Sequence, residues 1–304
     1  MLRAAVSPRI DWLADPAVLA PIALLAFLYV WRFRIARREE AEKGRSGAGG
    51  GGAAGEPWSG ATELGGRGAG PLQALAFAGA VTALLAALAS PIDGLGEDYL
   101  FSAHMLQHVL LGDVAPLLLL LSLSRVILRP LTRRLRGVEL ALGPFAHPLT
   151  GLGIWLVVMY AWHVPALYDA ALENPGVHLL EHALFFVAGV AVWWPLIQPV
   201  PMRRRLTGLW PLAYIGAAKF GLAALGLYLT WSSSAIYGYY EHVPRIWGLS
   251  AVTDQNVGGA IMMVEQSLTF VLVLAATFVR MLSRSEAEER RRERLEEASS
   301  GVRP

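Results

Sequence analysis

Apolar residues fill seven long stretches of the chain, and polar or charged residues separate them. A helix needs roughly 20 predominantly apolar residues to cross a hydrocarbon layer about 30 Å thick, at 1.5 Å per residue. The stretches that meet this requirement lie near 16–35, 71–90, 104–124, 148–165, 178–197, 211–230 and 257–279. The pattern predicts an all-α protein, a polytopic membrane bundle of seven transmembrane helices.

Charges between the stretches alternate. Arg32, Arg34, Arg37, Arg38, Lys43 and Arg45 follow the first, with Arg32 and Arg34 placed to snorkel toward an interface. Asp93, Glu97 and Asp98 follow the second, without Lys or Arg. Arg125, Arg129, Arg133, Arg134 and Arg136 come after the third, and Asp169 and Glu173 after the fourth. Arg203, Arg204 and Arg205 come after the fifth, the single base Arg245 after the sixth, and an Arg-rich tail after the seventh. The positive-inside rule then predicts an amino terminus outside and a carboxyl terminus in the cytoplasm. The basic cluster behind the first stretch is wrong for a cleaved signal peptide and marks a retained helix. Trp162, Trp193, Trp194, Trp210 and Trp231 fall at span ends, where aromatic belts form.

This divides the chain into an extracytoplasmic segment 1–15, a first helix 16–35, a Gly-rich cytoplasmic linker 36–70, a membrane core 71–282 and a charged cytoplasmic tail 283–304. The linker lacks the Gly-Lys-Ser/Thr ending of a phosphate loop. The tail, EAEERRRERLEE, reads as a solvated helix or a frayed end.

Composition agrees: 55% of the residues are hydrophobic and 16% charged, against about a quarter charged in soluble domains. The lipid bilayer is the expected environment, and no nucleic-acid partner is expected. There is no cysteine, which excludes disulfides, thiolate metal sites and cysteine nucleophiles. A bound metal would need His, Met, Asp, Glu or backbone oxygen.

The histidines change the picture most. Six of the seven, His104, His108, His163, His178, His182 and His242, fall at the predicted outer face. Only His147 starts a span on the other side. HMLQH and HLLEH each place two imidazoles four residues apart, on one helix face. His163, in AWHVP, ends the fourth span at the same depth. These five histidines are candidate metal ligands, since neutral imidazole binds copper, zinc or iron. Met105, Met262 and Met263 add soft thioethers suited to reduced copper. Glu181 is placed to orient a histidine or to serve as a ligand. The competing reading is that the histidines are wetted or bonded to loop backbone, and it is kept for His147 and His242.

Three charged residues fall deep inside spans. Asp113, Lys219 and Glu265 each lie about 12–14 Å from a span end, where facing lipid would cost several kcal/mol. Pairing of Lys219 with Asp113 or Glu265 would neutralise them, either as a structural ion pair or as a proton or ion relay. Asp254, just before the seventh span, is placed to cap that helix, or else to join the outer metal site.

HMLQHVLL with a following AP, the W-H-x-P-x-x-Y of WHVPALYD, HLLEHALFFVAG with WWP, and the DQNVGG–MM run resemble the polytopic CtaG-type cytochrome c oxidase assembly family over roughly 71–280. The resemblance implies a bacterial plasma-membrane factor needed to form an active haem–copper oxidase, with oxidase subunits as partners and a supposed role in copper handling. Its motif positions in this chain are His104, His108, His163, His178, His182 and Asp254. The chain departs from the family at GDVAP, at Met263 and in its long Gly-rich linker. The expected role is binding or delivering copper rather than catalysis. The alternatives are a haem-binding redox protein or haem-modifying enzyme, with His pairs as axial ligands, and a transporter coupled through Asp113, Lys219 and Glu265.

Overall fold

A computed structural model describes residues 11–12, 15–47, 68–200 and 204–300. Most of the expected extracytoplasmic segment, the linker residues 48–67, Arg203 and the last four residues lie outside them. The described chain is helical, without strands. In order come α1 (Pro16–Gly47), α2 (Pro71–Leu88), α3 (Pro91–Asp98), α4 (Phe101–Val109), a π turn (Leu110–Val114), α5 (Ala115–Ser122) and α6 (Thr132–Leu142). They are followed by α7 (Pro148–Trp162), α8 (Pro165–Glu173), α9 (Pro175–Ile197), α10 (Trp210–Trp231), the single turn α11 (Tyr239–His242) and α12 (Ala251–Ser300).

Among the described residues, six helices are long and apolar enough to cross a membrane, and seven spans result if one bent pair counts as a crossing. The protein is therefore a multi-pass membrane bundle. The fourth expected span, 148–165, is one arm of the bent pair. There α7 has only 15 residues, about 22 Å of helix, and the preceding segment turns away from it by 74°. Gly143, in left-handed backbone at φ 53°, and the prolines Pro144 and Pro148 lie at the bend between the two arms. Two other helices outrun their apolar cores: α1 continues past residue 35 to Gly47, and α12 carries the charged tail as helix to Ser300.

Proline starts many of these helices, where its missing N–H costs nothing and its fixed φ is already helical. Between helices in lipid, close packing and polar contacts replace the hydrophobic drive. Accordingly, Gly189 of α9 meets the Gly112 carbonyl and the Pro116 ring so closely that a Cβ there would collide with both. The core these contacts enclose contains Trp155, Trp193, Tyr168, Phe185 and Met105, all fully buried.

Several polar side chains work differently from their local reading. Arg32 does not snorkel: it donates to the Val126 and Ile127 carbonyls at 2.7 and 3.0 Å and pairs with Glu39. Trp193 is an interior residue and not part of a belt, whereas Trp210 and Trp231 are exposed as expected. Asp254 caps a different helix from its own. Its carboxylate accepts from the Phe101 and Ser102 amides at 2.7 and 3.1 Å, closing the start of α4, while Ser250 caps α12 through the Thr253 amide. The sequence places Asp254 at the mouth of the seventh span, but α12 begins three residues earlier, so the side chain reaches its neighbour.

Asp254→Ala leaves two buried amides unpaired, each worth about 1–3 kcal/mol. Thermal unfolding in detergent should show a clear drop in midpoint. An unchanged midpoint would mean that the start of α4 is held by something else.

Candidate metal centre

The first turns of α4 and α9 face each other. On α4, His104 and His108 lie one turn apart with ring centroids 4.2 Å apart. On α9, His178 and His182 do the same at 4.0 Å, and Glu181 shares their face. His104 looks across at His178 and His182, with centroids 5.3 and 6.3 Å away. The four side chains His104, His178, Glu181 and His182 are buried, and their ligand atoms all lie within 4.8 Å of one another. Metal–nitrogen and metal–oxygen bonds of about 2.0–2.2 Å put opposed ligands about 4 Å apart, so small adjustments would gather these four around one ion.

The hydrogen bonds behind the rings fix which nitrogens point inward. Tyr240 spends its single proton on the Gly96 carbonyl at 2.6 Å. Toward His104 Nδ1, 3.3 Å away, its oxygen therefore acts as acceptor. His178 Nδ1 donates to Glu97 at 2.7 Å, and His163 Nδ1 to the Met159 carbonyl at 2.6 Å. In all three rings Nδ1 carries the proton and Nε2 presents a lone pair to the interior. Such outward anchoring is typical of metal-bound histidine. Burial raises the Tyr240 hydroxyl well above the usual tyrosine range, so it remains a neutral partner.

Except for His104 Nε2, which lies 2.7 Å from His108 Nε2, the inward atoms lack partners of their own. Nε2 of His178 and His182 and both carboxylate oxygens of Glu181 are buried without a hydrogen bond. The nearest imidazole nitrogens to Glu181 are His104 Nε2 at 3.8 Å and His108 Nε2 at 3.6 Å. A buried carboxylate without a hydrogen-bond partner is costly unless a cation or protons compensate it. The donor set of three imidazoles and one carboxylate fits a borderline transition metal such as copper or zinc.

The five histidines expected to form one cluster divide into two groups. His108 and His163 stand outside the four-donor set, with centroids 6.3 Å apart. His108 Nε2 is bonded to His104 Nε2 at 2.7 Å; since that His104 nitrogen is bare, His108 donates, and its own Nδ1 is left as a buried lone pair. Glu181, offered by the sequence as orienter or ligand, is central. Asp254 is occupied as a cap and is not one of the four donors. Met105 and Met262 line an internal cavity next to His108, but Met263 packs between α10 and α12, with Thr230 Oγ1 3.8 Å from its sulfur. His147 caps α7 by accepting from the Leu149 amide, and His242 bonds the Gly238 carbonyl. Glu97 of α3 and Tyr240 of α11 escaped the sequence reading, because no spacing reveals that these short helices fold over the histidines.

The three midplane charges meet. Lys219 of α10 bonds Asp113 and lies 3.4 Å from Glu265 of α12. Trp193 Nε1 donates to the other Asp113 oxygen at 2.7 Å, and Thr269 and Gln266 bond Glu265.

Fold and donor set together define a multi-pass membrane protein with a buried group of metal-ligating side chains near one end of its bundle. Residues 59–284 match the cytochrome c oxidase caa3 assembly factor family (Caa3_CtaG), and the chain belongs to that family. Among curated proteins it is similar to an uncharacterized protein of Mycobacterium leprae (strain TN), at 27% identity over 198 residues, 58% of this chain and 29% of the relative. An uncharacterized protein of Mycobacterium bovis (strain ATCC BAA-935 / AF2122/97) is 25% identical over 202 residues, with the same shares. The chain thus spans under a third of the length of these relatives. No solved structure matches it significantly.

Lys219→Met leaves two buried carboxylates facing each other, a change that costs roughly 3–5 kcal/mol when a buried pair is broken. Yield and thermal midpoint should both fall, and Lys219→Met/Asp113→Asn should recover part of the loss. Wild-type stability in the single variant would show that the pairing does not support the bundle.

Proposed function

We propose that the protein serves assembly of a haem–copper cytochrome c oxidase by holding a copper ion at His104, His178, Glu181 and His182 and passing it to an oxidase subunit. Membership of the caa3 assembly factor family supplies the client. The observation that carries the metal assignment is the set of four buried donors within 4.8 Å, three of them imidazoles. Two of those imidazoles are turned inward by Glu97 and Tyr240. The charge alternation along the chain supports an orientation with this end of the bundle outside the cytoplasm. The role is one of binding and transfer: the residues hold and release an ion, and no bond of a substrate is broken.

Four donors this close together favour a bare ion over a porphyrin, which would have to separate the facing rings. Among divalent first-row metals such a site binds copper most strongly. Copper in a respiratory oxidase also needs delivery without release of free ion, which a buried and pre-oriented donor set provides.

Purified protein reconstituted with Cu(II) should bind one equivalent, detected by elemental analysis and by the nitrogen couplings of its electron paramagnetic resonance spectrum. His178→Ala/His182→Ala should lose that equivalent and fail to restore oxidase activity in a strain lacking the protein. Equal Cu(II) in both proteins, or a stoichiometric Soret band in the wild type, would overturn the assignment.

Glu97→Gln keeps a hydrogen-bond acceptor but removes the charge behind His178, so Cu(II) affinity should fall by roughly 10–100-fold. Competition with a chelator of known affinity measures it. An unchanged affinity would show that Glu97 does not support the ligand.

A further inference from the structure

Next to the four-donor group, toward the middle of the bundle, lies a small cavity with a different chemical character. Met105 of α4, Met159 of α7 and Met262 of α12 line it together with His108 and His163, and Asp113 and Glu265 stand at its deep end. We infer that this cavity binds a soft monovalent cation, Cu(I) or its analogue Ag(I), between the three thioethers and His163.

Three features support the site. The first is its donor chemistry. Thioethers bind Cu(I) well and divalent zinc or magnesium poorly. A single buried methionine is ordinary packing, but here three from three different helices surround one space shared with imidazoles. All three are almost fully buried, at 0, 3 and 4% exposure.

The second is a pair of polar atoms with no other use. His163 Nε2 and His108 Nδ1 are buried and unpartnered, on side chains only 6% exposed. The bond from His163 Nδ1 to the Met159 carbonyl fixes that ring with its lone pair free. It also ties the imidazole to the backbone of one of the methionines.

The third is charge. Lys219 pairs with Asp113 and lies 3.4 Å from Glu265 at the deep end, so one ammonium already stands among the cavity's carboxyl groups. A divalent ion in the adjoining space would be repelled by Lys219 more strongly than a monovalent one.

The site is separate from the one proposed above, although His108 touches both through its two nitrogens. Either can hold an ion without the other, so the two readings stand or fall independently.

The test uses full-length protein in nanodiscs, titrated with Ag(I) and, under ascorbate, with Cu(I) against bathocuproine. His178→Ala/His182→Ala should retain one Ag(I) or Cu(I) equivalent, and X-ray absorption of that protein should show sulfur among the nearest neighbours. Met105→Leu/Met159→Leu/Met262→Leu, near-isosteric changes that cores tolerate, should lose this equivalent while still binding Cu(II). X-ray absorption needs no methionine variant, so it decides the matter even where the triple variant lacks a thermal transition. A monovalent ion ligated by nitrogen and oxygen alone, or the same Ag(I) stoichiometry with and without the methionines, overturns the inference. Ag(I) bound through sulfur in a wild type that takes no Cu(II) would refute the four-donor assignment and leave this one standing.

Discussion

The helix that carries His104, Met105 and His108 is held at both ends by carboxylates, and the site depends on that. At its start, Asp254 of α12 accepts from the Phe101 and Ser102 amides. Just beyond its end, Asp113 is bound to Lys219 of α10 and Trp193 of α9. In hydrocarbon no water competes for these groups, so each bond has only protein alternatives. A slip of one residue along α4 would turn its side chains by about 100°. The histidines would leave α9, and both anchors would lose their partners. The polar contacts therefore set the register that apolar packing alone leaves open, since one leucine on a lipid-facing helix is much like another.

The lower anchor is reached through an irregularity. Between Leu110 and Val114 the helix widens into a π turn, with the Ala115 amide bonding Leu110 five residues back. Pro116 has no amide to continue the regular ladder. The Gly112 carbonyl lies against Gly189, where only a glycine fits. A π turn changes the angular relation between the residues on either side of it. This lets one continuous span turn His104 and His108 toward α9 while Asp113 reaches α10. The GDVAP sequence supplies both Gly112 and Pro116.

Much of this was legible in the sequence, and the gaps have specific causes. The i, i+4 histidine pairs and the Glu181 between them needed only helical geometry, because all their relations lie within a turn. The depth of Asp113, Lys219 and Glu265 followed from counting residues, and lipid leaves such charges little choice but one another. The division of the five histidines between two groups was not visible, because it depends on which ring nitrogen each backbone or loop partner holds. Asp254 was misread because local sequence offers a residue only its own helix to cap. Trp193 was misread for a related reason: span-end position suggests a belt, but the indole reaches inward to Asp113. The fourth expected span began where α7 begins but ran past its end at Trp162, because hydropathy does not register the break before Pro165.

The same charges bear on the choice between holding an ion and moving it across the membrane. A cation that entered among the histidines would meet nitrogen and oxygen donors, then the sulfur-lined cavity beside His108 and His163. Beyond Asp113 and Glu265 it would face the ammonium of Lys219, which is buried and fixed between both carboxylates. A fixed positive charge in a low-dielectric interior opposes a cation much more strongly than it would in water. The path is thus favourable as far as the carboxylates and unfavourable past them. A transporter needs an exit as well as an entrance. A donor set that ends at a buried lysine would instead keep an ion at the end where it was loaded, which fits the proposed hand-over of a metal to a neighbour on the same side.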